Sequence, residues 1–202
     1  MKSERDRHID VLSAGHNGDE PTARSGLVDS APHIRASALE ALQRLGALSD
    51  SDLIAATDDG ATEVRRRCGE LLSRTFRPAL RASLATALHD PEPDVVEAAA
   101  TALGEDSDID DETLDLLHNL TANHDDPLCR ESAIAALGSL GKTRSLDHIL
   151  AAMADKPNVR RRAVLALTPY DDPRADQAMN DALEDKDRQV RTLAAELADR
   201  PT

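Results

Sequence analysis

The chain has 202 residues, a formal net charge of −14 and only two aromatic residues, Phe76 and Tyr170, if histidine is set aside. A charge this negative argues against DNA, RNA or an anionic membrane surface as a partner. It favours a protein partner with a basic or mixed surface. The scarcity of aromatic residues argues against an aromatic-lined ligand pocket. No apolar run has the length of a signal peptide or a membrane span, so we expect a soluble, cytoplasmic protein.

One sequence pattern recurs six times at intervals of 30–34 residues. An apolar anchor is usually followed by Arg, then by a small residue four positions after the anchor and an apolar pair at positions seven and eight. The anchors are Ile34, Val64, Val95, Cys129, Val159 and Val190. These positions share one face at 3.6 residues per turn, so each segment is predicted to be an amphipathic helix, here called an A helix. A fixed period of this length indicates that copies of one helical unit are stacked, in contrast to a globular domain with a single closed core.

A second apolar stripe follows each A helix after a turn, as in Leu80, Leu84 and Leu88. It predicts a B helix, and an acidic turn then leads to the next A helix. Residues 29–202 are therefore predicted to form a single continuous array, with residues 1–28 as a degenerate N-terminal capping helix pair. The predicted fold class is all-α, a right-handed α-solenoid of about six helical hairpins.

The pattern resembles short HEAT-like repeats of the kind first grouped with phycobilin lyase subunits. Its clearest copy runs from Asp126 to Gly141. In HEAT arrays the B helices line the concave face, so the resemblance implies a partner-binding surface of polar residues opposite the B stripes. Those residues are Arg81, Asp115, Asn119, Arg144, His148, Gln177 and Asn180. The function predicted from this resemblance is a non-catalytic scaffold or adaptor.

Two other functions are implied by HEAT-like relatives. One is an accessory lyase or isomerase-type subunit that handles a prosthetic group. The near absence of aromatic residues argues against it, as does the lack of a Cys free to form an adduct. The other is a DNA-repair glycosylase, which would need a basic concave face and aromatic side chains. We predict no catalytic residue, no cofactor and no metal ligand.

The residue after the anchor is Arg in five of the six repeats, and an Asp lies four or five residues before most anchors. The arginines are Arg35, Arg65, Arg130, Arg160 and Arg191, and the aspartates are Asp29, Asp59, Asp90, Asp155 and Asp185. We predict a structural ladder in which each guanidinium meets a turn carboxylate or carbonyl and joins neighbouring repeats. An anion-binding stripe is the alternative. Val96 takes the Arg position in the third repeat.

Three further patterns partly match ligand-binding motifs. The acidic segment Asp106–Glu112 begins like a calcium loop but has Asp111 where that loop needs Gly. The segment from Ala136 to Thr143 matches a relaxed phosphate loop, yet it falls at a helix end rather than after a strand. His118 and His148 occupy equivalent positions of adjacent B helices, which suggests a metal pair. We predict instead that both rings face solvent and point in different directions.

Overall fold

The computed structural model describes residues 2–199, which contain thirteen α-helices, three short 3-10 turns and no strand. The α-helices in chain order are α1 Glu4–Asn17, α2 Glu20–Gly26, α3 Pro32–Leu45, α4 Asp50–Thr57, α5 Thr62–Leu72, α6 Arg81–Ala87, α7 Pro93–Leu103, α8 Asp111–Asn123, α9 Pro127–Leu140, α10 Leu146–Ala152, α11 Pro157–Leu167, α12 Pro173–Asp181 and α13 Arg188–Ala198. The 3-10 turns are Pro78–Leu80, Thr143–Ser145 and Ala182–Glu184. From α3 onwards the odd-numbered helices contain the six anchors, and they are the predicted A helices.

The helices group into two compact units, Met1–Ala102 and Leu103–Thr202. In the first unit α3 packs between α1 and α5, and α4 packs against α5. In the second unit α11 packs between α9 and α13, while α8 and α10 pack against α9 and α11. Each unit is therefore built from helical hairpins whose A helices lie side by side.

Helix boundaries follow the local chemistry of the chain. Proline opens α3, α9, α11 and α12, where its missing N–H costs no intrahelical hydrogen bond. Glycine follows α1, α3 and α9 in the left-handed conformation, with φ of 79° at Gly18, 68° at Gly46 and 58° at Gly141. Glycine is favoured there because it has no Cβ to clash with the backbone.

The A helices approach one another closely along their small residues. All six anchors are buried, and so are the residues four positions later. A Cβ built on Gly69 would lie 2.7 Å from the Cβ of Ala98, and one on Gly138 would lie 2.7 Å from both Cα and Cβ of Ala166. The seams between A helices therefore have no room for an added methyl group at these glycines.

Both cysteines are buried free thiols. Burial raises the pKa of Cys68 to about 12, so this thiol stays protonated and unreactive at neutral pH. Tyr170 is buried after α11, and its hydroxyl donates a hydrogen bond to the carbonyl oxygen of Lys142 at 3.1 Å. Among the described residues, no helix is both long and apolar enough to cross a membrane.

Candidate partner-binding faces

Arginine side chains of the A helices connect successive turns. Nε and Nη2 of Arg35 donate to the carboxylate of Asp59 at 2.8 and 2.7 Å, and Nη1 donates to the carbonyl oxygen of Asp29 at 2.9 Å. The same two-point contact joins three further pairs, namely Arg65 with Asp90, Arg130 with Asp155, and Arg160 with Asp185. Each of these arginines thus donates hydrogen bonds to a carbonyl oxygen in the turn before its own helix and to a carboxylate in the turn before the next A helix.

The ladder is largely shielded from water. The side chain of Arg160 is 4% exposed and that of Asp185 is 12% exposed. The neighbouring arginine lowers the pKa of Asp59, Asp155 and Asp185 below 3.8, because a charge-assisted hydrogen bond favours the ionised carboxylate. Since these guanidinium groups already bind carboxylates, the geometry favours a structural role over an anion-binding stripe.

The ladder also includes a residue that sequence analysis missed. Nε and Nη2 of Arg7 in α1 donate to the carboxylate of Asp29 at 2.6 and 3.0 Å. The residue before Arg7 is Asp6 rather than an apolar anchor, so the repeat pattern is hidden there. Arg7 lies nearly as far before Asp29 in the sequence as the other ladder arginines lie before their aspartates, and this separation was the available sequence signal. At the end of the series, Nη1 of Arg191 donates to the carbonyl oxygen of Asp185 at 2.5 Å.

The exposed side of α8, α10 and α12 in the second unit is here called the B face. It carries most of the polar residues predicted to contact a partner. Asp115 and Asn119 are exposed on α8, Arg144 is exposed just before α10, His148 is half-buried on α10, and Gln177 and Asn180 are exposed on α12. Arg81 lies in the first unit at the start of α6 and is half-buried. Exposed carboxylates dominate the charge of the B face, and they are Asp111, Glu112, Asp115, Asp147, Asp176 and Asp181.

Ion pairs cross the B face from helix to helix. Arg144 binds Asp111 and also Asp115, the latter at 3.0 Å, and Arg174 binds Asp147 at 2.7 Å. These side chains are at least half exposed, so each pair contributes little to stability. Two of the predicted binding residues, Asp115 and Arg144, form an ion pair with each other.

The prediction for the two B-helix histidines is wrong. His118 is 6% exposed, and its ring lies parallel to that of His148 with centroids 4.0 Å apart. Nε2 of His118 is 3.0 Å from Oγ of the buried Ser145. The buried face of α8 extends from Leu114 through His118, four residues later and therefore on the same side of the helix. His118 is thus a core residue that holds His148 in position.

Asp115, His118 and Ser145 are arranged in the order of a nucleophilic triad. Nδ1 of His118 is 3.4 Å from the Asp115 carboxylate, on the opposite side of the ring from Ser145. However, Ser145 has an exposed fraction of 0%. A substrate carbonyl cannot reach a nucleophile with no exposed surface, so we interpret these contacts as structural.

His118 gives a testable pH dependence. Burial, and then the adjacent His148, lowers the pKa of His118 below 6.5, so the unfolded chain binds this proton more readily than the folded chain. The free energy of unfolding is expected to fall as the pH decreases from 6.5 towards the folded pKa. Replacing His118 with Gln should reduce this loss, measured as melting temperature at pH 7.5 and 5.5. His89→Gln, at an exposed position, should lose stability on acidification as the wild type does; a similar response in His118→Gln would contradict the prediction.

Each unit has a groove between two B helices. In the second unit a groove of about 440 Å³ is lined by residues of α8 and α10 and of the turn that follows α10, namely Thr121, Ala122, His148, Ala151, Ala152, Ala154 and Asp155. In the first unit a groove of about 210 Å³ has larger aliphatic walls and includes a ladder arginine, its residues being Leu27, Val28, Arg35, Leu39, Ser51, Asp52, Ala55, Ala56, Asp59 and Val64. A ladder aspartate lines each groove, Asp155 in the second unit and Asp59 in the first.

The acidic segment Asp106–Glu112 leads into α8, which begins at Asp111. Asp106 is buried, and its carboxylate accepts a hydrogen bond from the backbone N–H of Asp108. Asp110 caps α8 by accepting from the N–H of Thr113 at 2.8 Å, as is typical of a helix N-terminus. Across residues 2–199, no cluster of three or more His, Cys, Asp or Glu side chains could hold a metal ion.

The hairpins, their period and the ladder can be compared with known proteins. A family model of HEAT repeats matches residues 82–158. The part of the chain that this model matches therefore consists of HEAT-like repeats. No curated protein sequence matches it. The predicted family and the predicted all-α solenoid fold are therefore confirmed.

Solved structures of similar fold cover most of this chain. The complex of CpcE and CpcF of phycocyanin lyase from Nostoc sp. PCC7120 has 22% identity and a TM-score of 0.66, covering 87% of this chain and 74% of that chain. A designed armadillo repeat protein in complex with the peptide (KR)4 has 15% identity and a TM-score of 0.56, covering 96% and 97%. Human deoxyhypusine hydroxylase has 22% identity and a TM-score of 0.50, covering 98% and 80%. At these identities the similarity shows the fold alone.

Proposed function

We propose that this HEAT-like repeat protein is a non-catalytic protein-binding module whose B face binds an extended, basic segment of a partner. The observation that carries the proposal is the set of exposed carboxylates on α8, α10 and α12. Arg144 and Arg174 form ion pairs between neighbouring B helices, but the exposed carboxylates outnumber them. A basic chain laid across the helices would meet negative charge on each one.

The polar residues between the carboxylates suit a peptide backbone. Asn119, Gln177 and Asn180 are exposed on the B face, and a side-chain amide both donates and accepts hydrogen bonds. The designed armadillo repeat protein binds the basic peptide (KR)4 on a similar fold, and we take that peptide as the probe. In this proposal residues 1–28 cap the array of residues 29–202, with Arg7 joined to Asp29.

The alternative of an accessory subunit for a prosthetic group has less support. The similarity to the phycocyanin lyase complex is at 22% identity and concerns the fold. Of the two aromatic residues of the chain, Tyr170 is buried and engaged with a backbone carbonyl. Neither ring lines the B-face groove. Visible absorbance retained through purification from the native host would favour this alternative.

The proposal predicts salt-dependent binding of (KR)4, measured by fluorescence anisotropy of the labelled peptide. The variant Glu112→Gln/Asp176→Asn removes two B-face charges and should raise the dissociation constant about threefold to tenfold, since it weakens electrostatic complementarity. The matched variant Glu196→Gln/Asp199→Asn removes two exposed charges at α13 and should change it less than about twofold.

Two results would contradict the proposal. If (KR)4 does not bind at low salt, a basic segment is excluded as the partner of the B face. Equal weakening by both double variants would mean that the peptide responds to the overall charge of −14 rather than to the B face.

A further inference from the structure

We propose that the groove between α8 and α10 is a pocket for a single lysine side chain of the bound segment. This inference rests on the proposed function, because the lysine belongs to the basic peptide on the B face. We infer a lysine as the occupant from charge complementarity and from the lining of the groove, which combines alanine side chains with the carboxylate of Asp155.

The walls of the groove suit an unbranched aliphatic chain. Ala122, Ala151, Ala152 and Ala154 contribute methyl groups, and no large aliphatic side chain fills the space between them. The four methylenes of a lysine can lie along such a surface while the ammonium group stays near polar atoms. The parallel stack on His118 fixes the ring of His148, so this part of the lining is positioned before a ligand binds.

Asp155, which lines the groove, can accept a hydrogen bond from one more donor. The carboxylate of Asp155 accepts two hydrogen bonds from Arg130 and one from the backbone N–H of Lys156. A carboxylate has about four acceptor positions, so one remains. The last residues of α8 and α10 also line the groove, and the carbonyl ends of helices favour a cation.

This arrangement discriminates between the two basic side chains. An ammonium group is a compact charge that can use one carboxylate position together with nearby carbonyl oxygens, whereas a guanidinium binds best when both oxygens of a carboxylate are free. Arg130 already occupies Asp155 in that two-point manner. The pocket should therefore select lysine over arginine.

The groove of the first unit has different chemistry at the same position of the repeat. Leu27, Leu39 and Val64 narrow it, and Arg35 contributes to its lining. Arg35 itself lines this groove, so a bound cation would lie beside its guanidinium, whereas Arg130 does not line the groove between α8 and α10. Larger aliphatic side chains also leave less room. Of these two grooves, the lysine pocket is thus assigned to the one between α8 and α10.

The test compares (KR)4 with octaarginine, which has the same charge and no lysine. Ala151 is exposed and lines the groove, so Ala151→Met fills the pocket without entering the core. We expect this change to raise the dissociation constant of (KR)4 about tenfold and that of octaarginine less than about twofold. Ala195→Met, at an exposed alanine of α13, is the matched control and should affect neither peptide.

The outcomes separate this inference from the proposed function. Binding of (KR)4 that Ala151→Met leaves unchanged, or that it weakens equally for both peptides, would overturn the lysine pocket and leave the B face as the binding surface. If wild-type protein binds neither peptide, both the pocket and the proposed function fail.

Discussion

Replacing Arg160 with alanine is expected to lower the free energy of unfolding by about 3 kcal/mol, because it removes one partner of a shielded ion pair. Arg160 donates two hydrogen bonds to the Asp185 carboxylate and one to the carbonyl oxygen of Asp155. Without the guanidinium, Asp185 keeps its charge in a site with little access to water. Urea denaturation followed by circular dichroism measures the loss.

Two comparisons make this prediction specific to the ladder. Arg144→Ala removes an exposed arginine that also binds two carboxylates, and it should cost less than about 1 kcal/mol. The double variant Arg160→Ala/Asp185→Ala should be less destabilised than the sum of the single variants, since it leaves no unpaired carboxylate. Equal losses for Arg160→Ala and Arg144→Ala would refute the structural ladder.

Gly138→Ala is expected to destabilise the second unit by about 2 kcal/mol, although alanine is usually the better helix former. The added methyl would lie 2.7 Å from the backbone Cα of Ala166, so α9 and α11 must separate. Overpacking of this kind costs about 1–3 kcal/mol, and the gain in helix propensity offsets up to about 1 kcal/mol. Thermal unfolding should show a lower melting temperature.

The control for this substitution is Gly60→Ala. A Cβ on Gly60 meets no atom within 4 Å, and its φ is not positive, so the change should be neutral or slightly stabilising. An unchanged melting temperature in Gly138→Ala would mean that the contact between α9 and α11 can accommodate the added methyl group, which would contradict the prediction.

The A helices and the confirmed fold were predictable because their signals are local. An anchor, its Arg and its small residue lie within one helix, and the six copies support each other. The contact of Arg35 with Asp59 spans 24 residues, less than one repeat, so the period places the two groups together. Arg7 was missed because its helix lacks an apolar anchor just before it.

The B face was less predictable, because its contacts depend on how far one helix is displaced along its neighbour. The sequence contains Asp115 and Arg144 but does not specify that offset, and the ion pair follows from it. The histidine error has a different cause. The predicted ring directions relative to the apolar stripes were wrong, because His118 lies four residues after the buried Leu114 and shares its buried face. The groove also depends on the distance between α8 and α10, which alanines alone do not reveal.

The single tyrosine of the chain has a consequence for spectroscopy. With no tryptophan present, intrinsic emission excited near 280 nm comes from Tyr170, whose hydroxyl contacts the Lys142 carbonyl within the second unit. That emission therefore reports on the second unit, whereas far-ultraviolet circular dichroism reports on the helices of both units. Coincident denaturation curves from the two signals would indicate cooperative unfolding of the whole chain, and separate midpoints would give each unit its own stability.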